Sequence, residues 1–353
     1  INGTVIVMDP RTGAIIAHAT APTFDPNNTK NVSLSLMRNP SVQDVYEPGS
    51  TGKVMTMAAA LEEKTVTPTT VFTVPYGLYR SGKTFHDHER HATQHLTTTG
   101  ILAVSSNTGS IQVGETLGSQ RLYEYLTKFG IGSKTGSGLP GESAGILHPV
   151  KSWSGTSAPT VAFGQGYSLT AMQATSVFAT IANGGIRVSP TVIAGTSDSS
   201  GHFTPAGNRE SVRVVSEETA SKLRIMMESV VSANGTAPTA AIAGYRVAGK
   251  TGTAQRIDDT CGCYRGYTAS FIGFAPADKP AYVISVTIQD PKGLHWGGAI
   301  GGPVFKKVMS FVLQSKGIAP TGTKVDPVAL TEKQLLAERK LAAEKKAASV
   351  KTN

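Results

Sequence analysis

Cysteine is nearly absent: Cys261 and Cys263, separated by one glycine, are the only two in 353 residues. Two thiols are too few for a structural zinc site and too close for an ordinary loop-closing bridge. They are left as exposed thiols or a local pair and do not fix the redox compartment. Long apolar runs are also missing. Stretches such as Ala281 to Ile288 are strand-sized, far short of the ~18 residues of a membrane-spanning helix. The start, Ile1-Asn2-Gly3-Thr4, enters a strand pattern directly instead of opening as a charged and then apolar leader. It reads as a cut inside a longer protein. A third absence is a concentrated basic surface. Of the formal charge of +9, the last 23 residues hold +3, six basic against three acidic, and the remainder is spread thinly. With no basic stripe interleaved with aromatics, nucleic acid is excluded as a partner.

What is present is a folding composition, 39% hydrophobic and 16% charged, with length for one large unit or two smaller ones. Thr4 to Met8, the turn Asp9-Pro10-Arg11-Thr12-Gly13, and Ala14 to Ala17 predict a β-hairpin. Thr268 to Ala275 and Ala281 to Ile288 predict a second pair, with Tyr245 to Ala248 as a third late strand. Helical spacing marks Val54 to Glu63, Gln120 to Phe129, Leu169 to Ala182, Glu217 to Val231 and Phe305 to Leu313. The pattern predicts an α/β (α+β type) fold: a sheet from both chain ends, about 1–20 and 240–316, with a mainly helical subdomain inserted over about 50–235. Residues 317–353 read as a linker and an Ala/Lys-rich tail, a solvated helix starting at a Thr331/Gln334 capping box.

The chemistry is in three short stretches. Glu47-Pro48-Gly49-Ser50-Thr51-Gly52-Lys53 runs into an apolar segment, so a helix beginning near Ser50 places Ser50 and Lys53 one turn apart on one face. A serine hydroxyl needs a base, and a lysine serves once burial and nearby positive charge lower its pKa. A phosphate loop would need a further glycine where Glu47 stands. Ile101 to Val104 leads into Ser105-Ser106-Asn107, a Ser-x-Asn, and Tyr245 to Gly249 leads into Lys250-Thr251-Gly252-Thr253, a Lys-Thr-Gly on a strand. This trio is a known signature of penicillin-recognising serine enzymes. Two decoys are set aside on context: Lys134-Thr135-Gly136 lies among loop signals, and Ser232-Ala233-Asn234 runs into an Asn-Gly turn. His86, His88, His91 and His95 have spacing that suggests metal ligands but no apolar scaffold to fix them, so neither metal nor cofactor is expected.

In these motifs, and in Gly138 to Glu142, Gly164 to Tyr167 and Asn183-Gly184-Gly185, the chain resembles the transpeptidase domain of a class B penicillin-binding protein. The likeness is to the septal, division type and to actinobacterial members, over about residues 4 to 315. The resemblance implies a five-stranded antiparallel sheet flanked by helices, with the site in the cleft against the helical subdomain. It implies attack by Ser50 on a D-Ala-D-Ala amide, with Lys53 as base and Ser105 relaying a proton. Asn107 would hold a substrate amide, and Lys250 would add positive charge. Thr251 and Thr253 would bind a carboxylate, Gly252 would admit substrate backbone, and the N–H groups of Ser50 and Thr253 would form an oxyanion hole. The implied partners are peptidoglycan stem peptides, β-lactams, a glycosyltransferase and division or elongation proteins. The implied place is the extracytoplasmic face of the cell membrane, held by an N-terminal anchor and pedestal outside this chain. Rival readings are a serine β-lactamase, a D-Ala carboxypeptidase and a β-lactam sensor. One lactamase group uses a Glu followed by Leu-Asn; here Glu142 is followed by Ser143-Ala144.

Overall fold

The computed structural model describes residues 2–351 apart from 208, 259, 260 and 326. Strands β1 (Asn2–Met8) and β2 (Ile15–Ala21) form the expected hairpin. Asp9 shapes its turn, accepting from Arg11 N at 2.9 Å through Oδ1 and from Gly13 N at 2.9 Å through its carbonyl, while Gly13 takes the left-handed φ of 73°. Three late strands, β3 (Ala248–Asp258), β4 (Cys263–Ala275) and β5 (Tyr282–Gln289), complete one sheet in the order β3-β4-β5-β1-β2. Every neighbouring pair is antiparallel, and Val5 faces Val286 where the two chain ends meet.

The third late strand departs from expectation. It begins at Ala248, where the predicted segment Tyr245 to Ala248 ends, and runs on through Lys250 to Thr253, the stretch expected on a strand. That run is a strand because β4 pairs with it residue by residue, Lys250 opposite Ile272 and Thr253 opposite Ala269. Tertiary pairing here overrides an apolar pattern.

The helices are α1 (Lys53–Glu62), α2 (Thr98–Ala103), α3 (Asn107–Lys128), α4 (Ala171–Ala182) and α5 (Glu217–Val231). α4 is buried on all sides and packs against the sheet and α5, after a capping box in which Thr170 and Gln173 satisfy each other's backbone. Its Met172, Val177, Phe178 and Ile181 are almost fully buried, each contributing roughly 1.5–3 kcal/mol of apolar transfer. α1 packs between α3 and α5, with every residue from Lys53 to Leu61 buried. α3 starts thirteen residues before the predicted helix at Gln120 and breaks at Gly118, where φ is 74°. Its first half is small and polar, so its burial comes from packing on α1 and gives no apolar period to read. Helix α6 (Gly302–Ser315) closes on the sheet, with Phe305 edge-on to Phe271 at 4.8 Å.

The tail is more tightly tied than a solvated helix requires. Gln334 Oε1 accepts from Leu330 N and Thr331 N before α7 (Glu332–Lys351), as the capping box predicts. Thr97, the residue that caps α2, also donates from Oγ1 to Ala329 O at 2.6 Å and from N to Leu330 O at 3.0 Å. The chain therefore returns from the sheet to the helical subdomain at the start of α2.

Candidate active site

Ser50 sits in a 3-10 turn, Gly49–Gly52, that feeds directly into α1, with Lys53 N donating to Ser50 O. This turn is pinned by its surroundings. Gly49 N donates to Gly164 O at 2.8 Å, and Tyr46 N donates to Leu169 O at 3.0 Å. The buried Glu47 accepts from Gly166 N at 2.8 Å and from the Tyr264 hydroxyl at 3.3 Å, and burial pushes its carboxyl up from the ordinary value. The half-buried Ser50 opens onto a groove of about 770 Å³.

Lys53 is fully buried at the first turn of α1. Its Nζ donates to Ser105 O at 2.5 Å, Asn107 Oδ1 at 2.7 Å and Ser105 Oγ at 3.3 Å. Burial lowers its pKa to about 7, opposed by the charge of Asp87. The meeting of side chains expected between Ser50 and Lys53 is not among these contacts. The amine is turned toward the Ser-x-Asn turn, which outcompetes Ser50 with a carbonyl and an amide oxygen.

Ser105 adopts a left-handed φ of 62° between α2 and α3, a conformation disfavoured for residues with a Cβ and concentrated at functional sites. Lys250, fully buried on β3, donates to its Oγ at 2.8 Å. Burial, and then the charge of Lys53, hold the Lys250 amine well below its usual range. Two desolvated amines thus converge on one hydroxyl, contributed by three segments far apart in sequence. Asn107 is the first residue of α3, and its Nδ2 donates to His86 O at 3.0 Å.

Thr251 and Thr253 both line the groove. Gly252 does not. A Cβ there would meet Ser270 Oγ on β4 and stand 3.0 Å from Pro48 O and 3.0 Å from Thr51 Cγ2, so the missing side chain lets β3 lie close to both β4's serine and the nucleophile turn. A Cβ on Gly49 would likewise come within 3.0 Å of the Ala254 Cβ.

Asp87 carries the site without any local motif to announce it. Its buried carboxylate accepts from Ser106 Oγ at 2.7 Å, Thr108 N at 2.9 Å and Asn107 N, satisfying the first backbone donors of α3. His91 Nε2 lies 3.0 Å from the same group. Nothing in Phe85-His86-Asp87-His88 signals that a helix start some twenty residues later needs it; a lone buried acid is legible only in three dimensions. The four histidines disperse: His86 offers its carbonyl, His91 faces Asp87, His88 packs on Trp296 at 4.3 Å and His95 lies 3.7 Å from Glu332. Among the described residues no cluster of three metal-binding side chains forms. Trp296, missed by sequence reasoning, lines the groove with Tyr267.

Of the decoys, Lys134-Thr135-Gly136 is a loop in which Glu142 accepts from Thr135 N at 2.9 Å and Gly136 N at 3.1 Å. The Ser232-Ala233-Asn234 turn is no second Ser-x-Asn, yet Asn234, Gly235 and Thr236 line the groove opposite Ser105 and Asn107. Cys261 and Cys263 are joined in a disulfide between β3 and β4.

A five-stranded antiparallel sheet against a helical subdomain, with a serine turn, a Ser-x-Asn turn and a Lys-Thr-Gly edge strand around one groove, defines the class of penicillin-recognising serine proteins. Within that class the chain belongs to the penicillin binding protein transpeptidase domain family, whose model matches residues 3–310. It is 40% identical over 340 residues to the penicillin-binding protein PbpB of Mycolicibacterium smegmatis, covering 93% of this chain and 52% of that protein. It is 35% identical over 328 residues to the peptidoglycan D,D-transpeptidase FtsI of Escherichia coli, covering 90% and 52%. Penicillin binding protein 3 from Mycobacterium tuberculosis, complexed with ampicillin, superposes with a TM-score of 0.88 at 37% identity, covering 94% of this chain and 75% of that one. The chain spans about half the length of the curated relatives it matches.

Proposed function

We propose that this chain cross-links peptidoglycan stem peptides as a serine D,D-transpeptidase and is acylated by β-lactams. The observation that carries the reading is the convergence of two buried amines, Lys53 at 3.3 Å and Lys250 at 2.8 Å, on the Ser105 hydroxyl beside the Ser50 turn. Ser50 Oγ gives its proton to neutral Lys53 and bonds to the carbonyl carbon of the penultimate D-Ala. Backbone N–H groups of Ser50 and Thr253 hold the developing oxyanion. The amide C–N bond then breaks, and Ser105 passes a proton from the amine pair to the departing D-Ala nitrogen. An acceptor amine attacks the ester carbonyl, loses its proton back through the same hydroxyl and frees Ser50. Asn107 holds the substrate amide while Thr251 and Thr253 face the terminal carboxylate. A β-lactam follows the same first half, its ring C–N bond breaking, but its leaving nitrogen stays tethered and blocks the acceptor.

A lactamase needs a free base to activate water. Glu142 is committed to Thr135 and Gly136, and the Asp87 carboxylate to the start of α3, which supports the transferase. A glycosyltransferase and division or elongation proteins are the partners the reading implies, on the extracytoplasmic face of the membrane. The Cys261–Cys263 disulfide favours such an oxidising place. Time-resolved intact mass after adding benzylpenicillin is the test: the adduct is expected to persist for many minutes and, with a stem-peptide donor, Ser50 is expected to transfer the acyl group to an added D-amino acid. Rapid loss of the adduct with release of hydrolysed penicillin would overturn the reading in favour of a lactamase.

A further inference from the structure

Thr236 follows the turn that ends α5. Gly235 N donates to Ser232 O at 3.0 Å and Ala237 N donates to Val230 O at 2.9 Å, so the turn is fixed by its own backbone. Gly298 closes over it from the other side: a Cβ there would stand 3.2 Å from Thr251 Cγ2 and would also meet Thr236 O, while its carbonyl accepts from Thr239 Oγ1 at 2.6 Å. In this setting Thr236 Oγ1 lies 2.8 Å from Thr251 Oγ1.

We propose that Thr236 is a positioning residue that aims the Thr251 hydroxyl at the carboxylate of the bound peptide or β-lactam, and so sets the preference of the groove for an anionic ligand. The proposal rests on the acyl-enzyme reading above. A threonine hydroxyl has one proton and two lone pairs. Lys250 Nζ donates to Thr251 Oγ1 at 3.3 Å, which engages one lone pair. If Thr236 donates to the other, the single proton of Thr251 has nowhere to go but the groove. Without a ligand Thr251 can donate to Thr236 instead; an arriving carboxylate reverses the pair, and Thr236 rotates to become the donor. Thr253 is arranged alike, since Gly297 N donates to its Oγ1 at 3.1 Å. The groove therefore offers two hydroxyls that each already accept from a neighbouring donor and can turn their protons outward, an arrangement that serves a carboxylate more strongly than the weaker acceptor of a neutral ester. Thr236 lines the groove, and its hydroxyl bonds Thr251, so the role proposed for it is to orient that hydroxyl and not to act on the reacting atoms.

The test compares acylation of Ser50 by benzylpenicillin and by its methyl ester, followed by intact mass, in the native chain and in Thr236→Val, Thr236→Ala and Thr236→Ser. Valine keeps the shape and removes the donor, alanine removes the donor without adding a methyl, and serine keeps the donor. Loss of an oriented donor to a charged acceptor is expected to slow the free acid about tenfold in the valine and alanine variants, while the ester slows less than about twofold and serine restores the acid rate. A purely structural role would slow acid and ester alike in any of the variants, and that result would overturn the proposal, as would an unchanged rate with the acid. If the native chain itself takes up no penicillin, the acyl-enzyme reading falls first and this proposal with it. If the native chain reacts but the acid-to-ester ratio is indifferent to residue 236, only the proposal falls.

Discussion

Replacing Lys53 by alanine is expected to slow acylation by penicillin about a thousandfold, within the range of a lost general base, while the domain remains folded. The side chain is fully buried at the start of a helix whose neighbours are apolar, and its amine has the Ser105 carbonyl, the Ser105 hydroxyl and the Asn107 amide oxygen as partners. Removing it leaves those acceptors with water or Lys250, but it also removes an amine that burial penalises when charged. The pH dependence separates base from scaffold. With a pKa lowered to about 7, Lys53 is increasingly neutral above that value, so the native acylation rate should rise as pH climbs through 7 and then level. In Lys53→Ala that limb should vanish, leaving a slow rate with little dependence there. Stability carries the same sign. Between about 7 and the ordinary lysine value the unfolded chain binds more protons than the folded one, so stability rises with pH across that window in the native protein and this contribution is lost in the variant. Labelling by a fluorescent penicillin across pH, with circular dichroism melts alongside, measures both. An intact pH limb in the variant would assign the base elsewhere.

Asp87→Ala carries the second large effect, this time on structure and chemistry together. The carboxylate answers two backbone N–H groups and the Ser106 hydroxyl at the start of α3. Loss of a capping acceptor together with newly unpaired buried donors costs about 2–4 kcal/mol. Because Asn107 is the first residue of that helix and Ser105 precedes it, a loosened start also misplaces both partners of Lys53. Acylation should fall by about 10- to 100-fold even at temperatures where the variant is fully folded. A purely structural contribution would stop there. Asp87 also holds the Lys53 pKa up by its charge, so in the variant the rising limb of the pH profile should move to lower pH. Asp87→Asn, which removes the charge and keeps the size, should move it the same way. Denaturant melts and the acylation profile together test this; a destabilised variant with an unmoved limb would reduce Asp87 to a cap.

The parts of this molecule that were legible beforehand are those whose reasons are local. The first hairpin is two short apolar, β-branched runs around a turn in which Gly13 takes a left-handed φ, and Glu217–Val231 has helical spacing with a serine cap. The three motifs were legible because their chemistry needs fixed spacing along one helix turn or one strand. What stayed hidden depends on contacts across the chain. The opening of α3 is polar and buried by α1, and the late edge strand starts at Ala248 and not at Tyr245 because that is where β4 pairs with it. Asp87, Glu47 and Thr236 each serve a segment twenty or more residues away or one contributed by another element, and their neighbours in sequence give no sign of it. Context set the Asn234-Gly235 turn apart from Ser105-Ser106-Asn107, but could not show that the same turn forms a wall of the groove. The tail reads as a solvated helix because its composition lacks an apolar face, while its anchoring comes from backbone carbonyls at 329 and 330 that bond Thr97.

Intact mass before and after benzylpenicillin, followed by mapping of the modified peptide, reaches the heart of the account. One penicilloyl group is expected per native chain, on the peptide that holds Ser50, and none on Ser50→Ala under the same conditions. A penicilloyl group on any other residue, or undiminished labelling of Ser50→Ala, would contradict it.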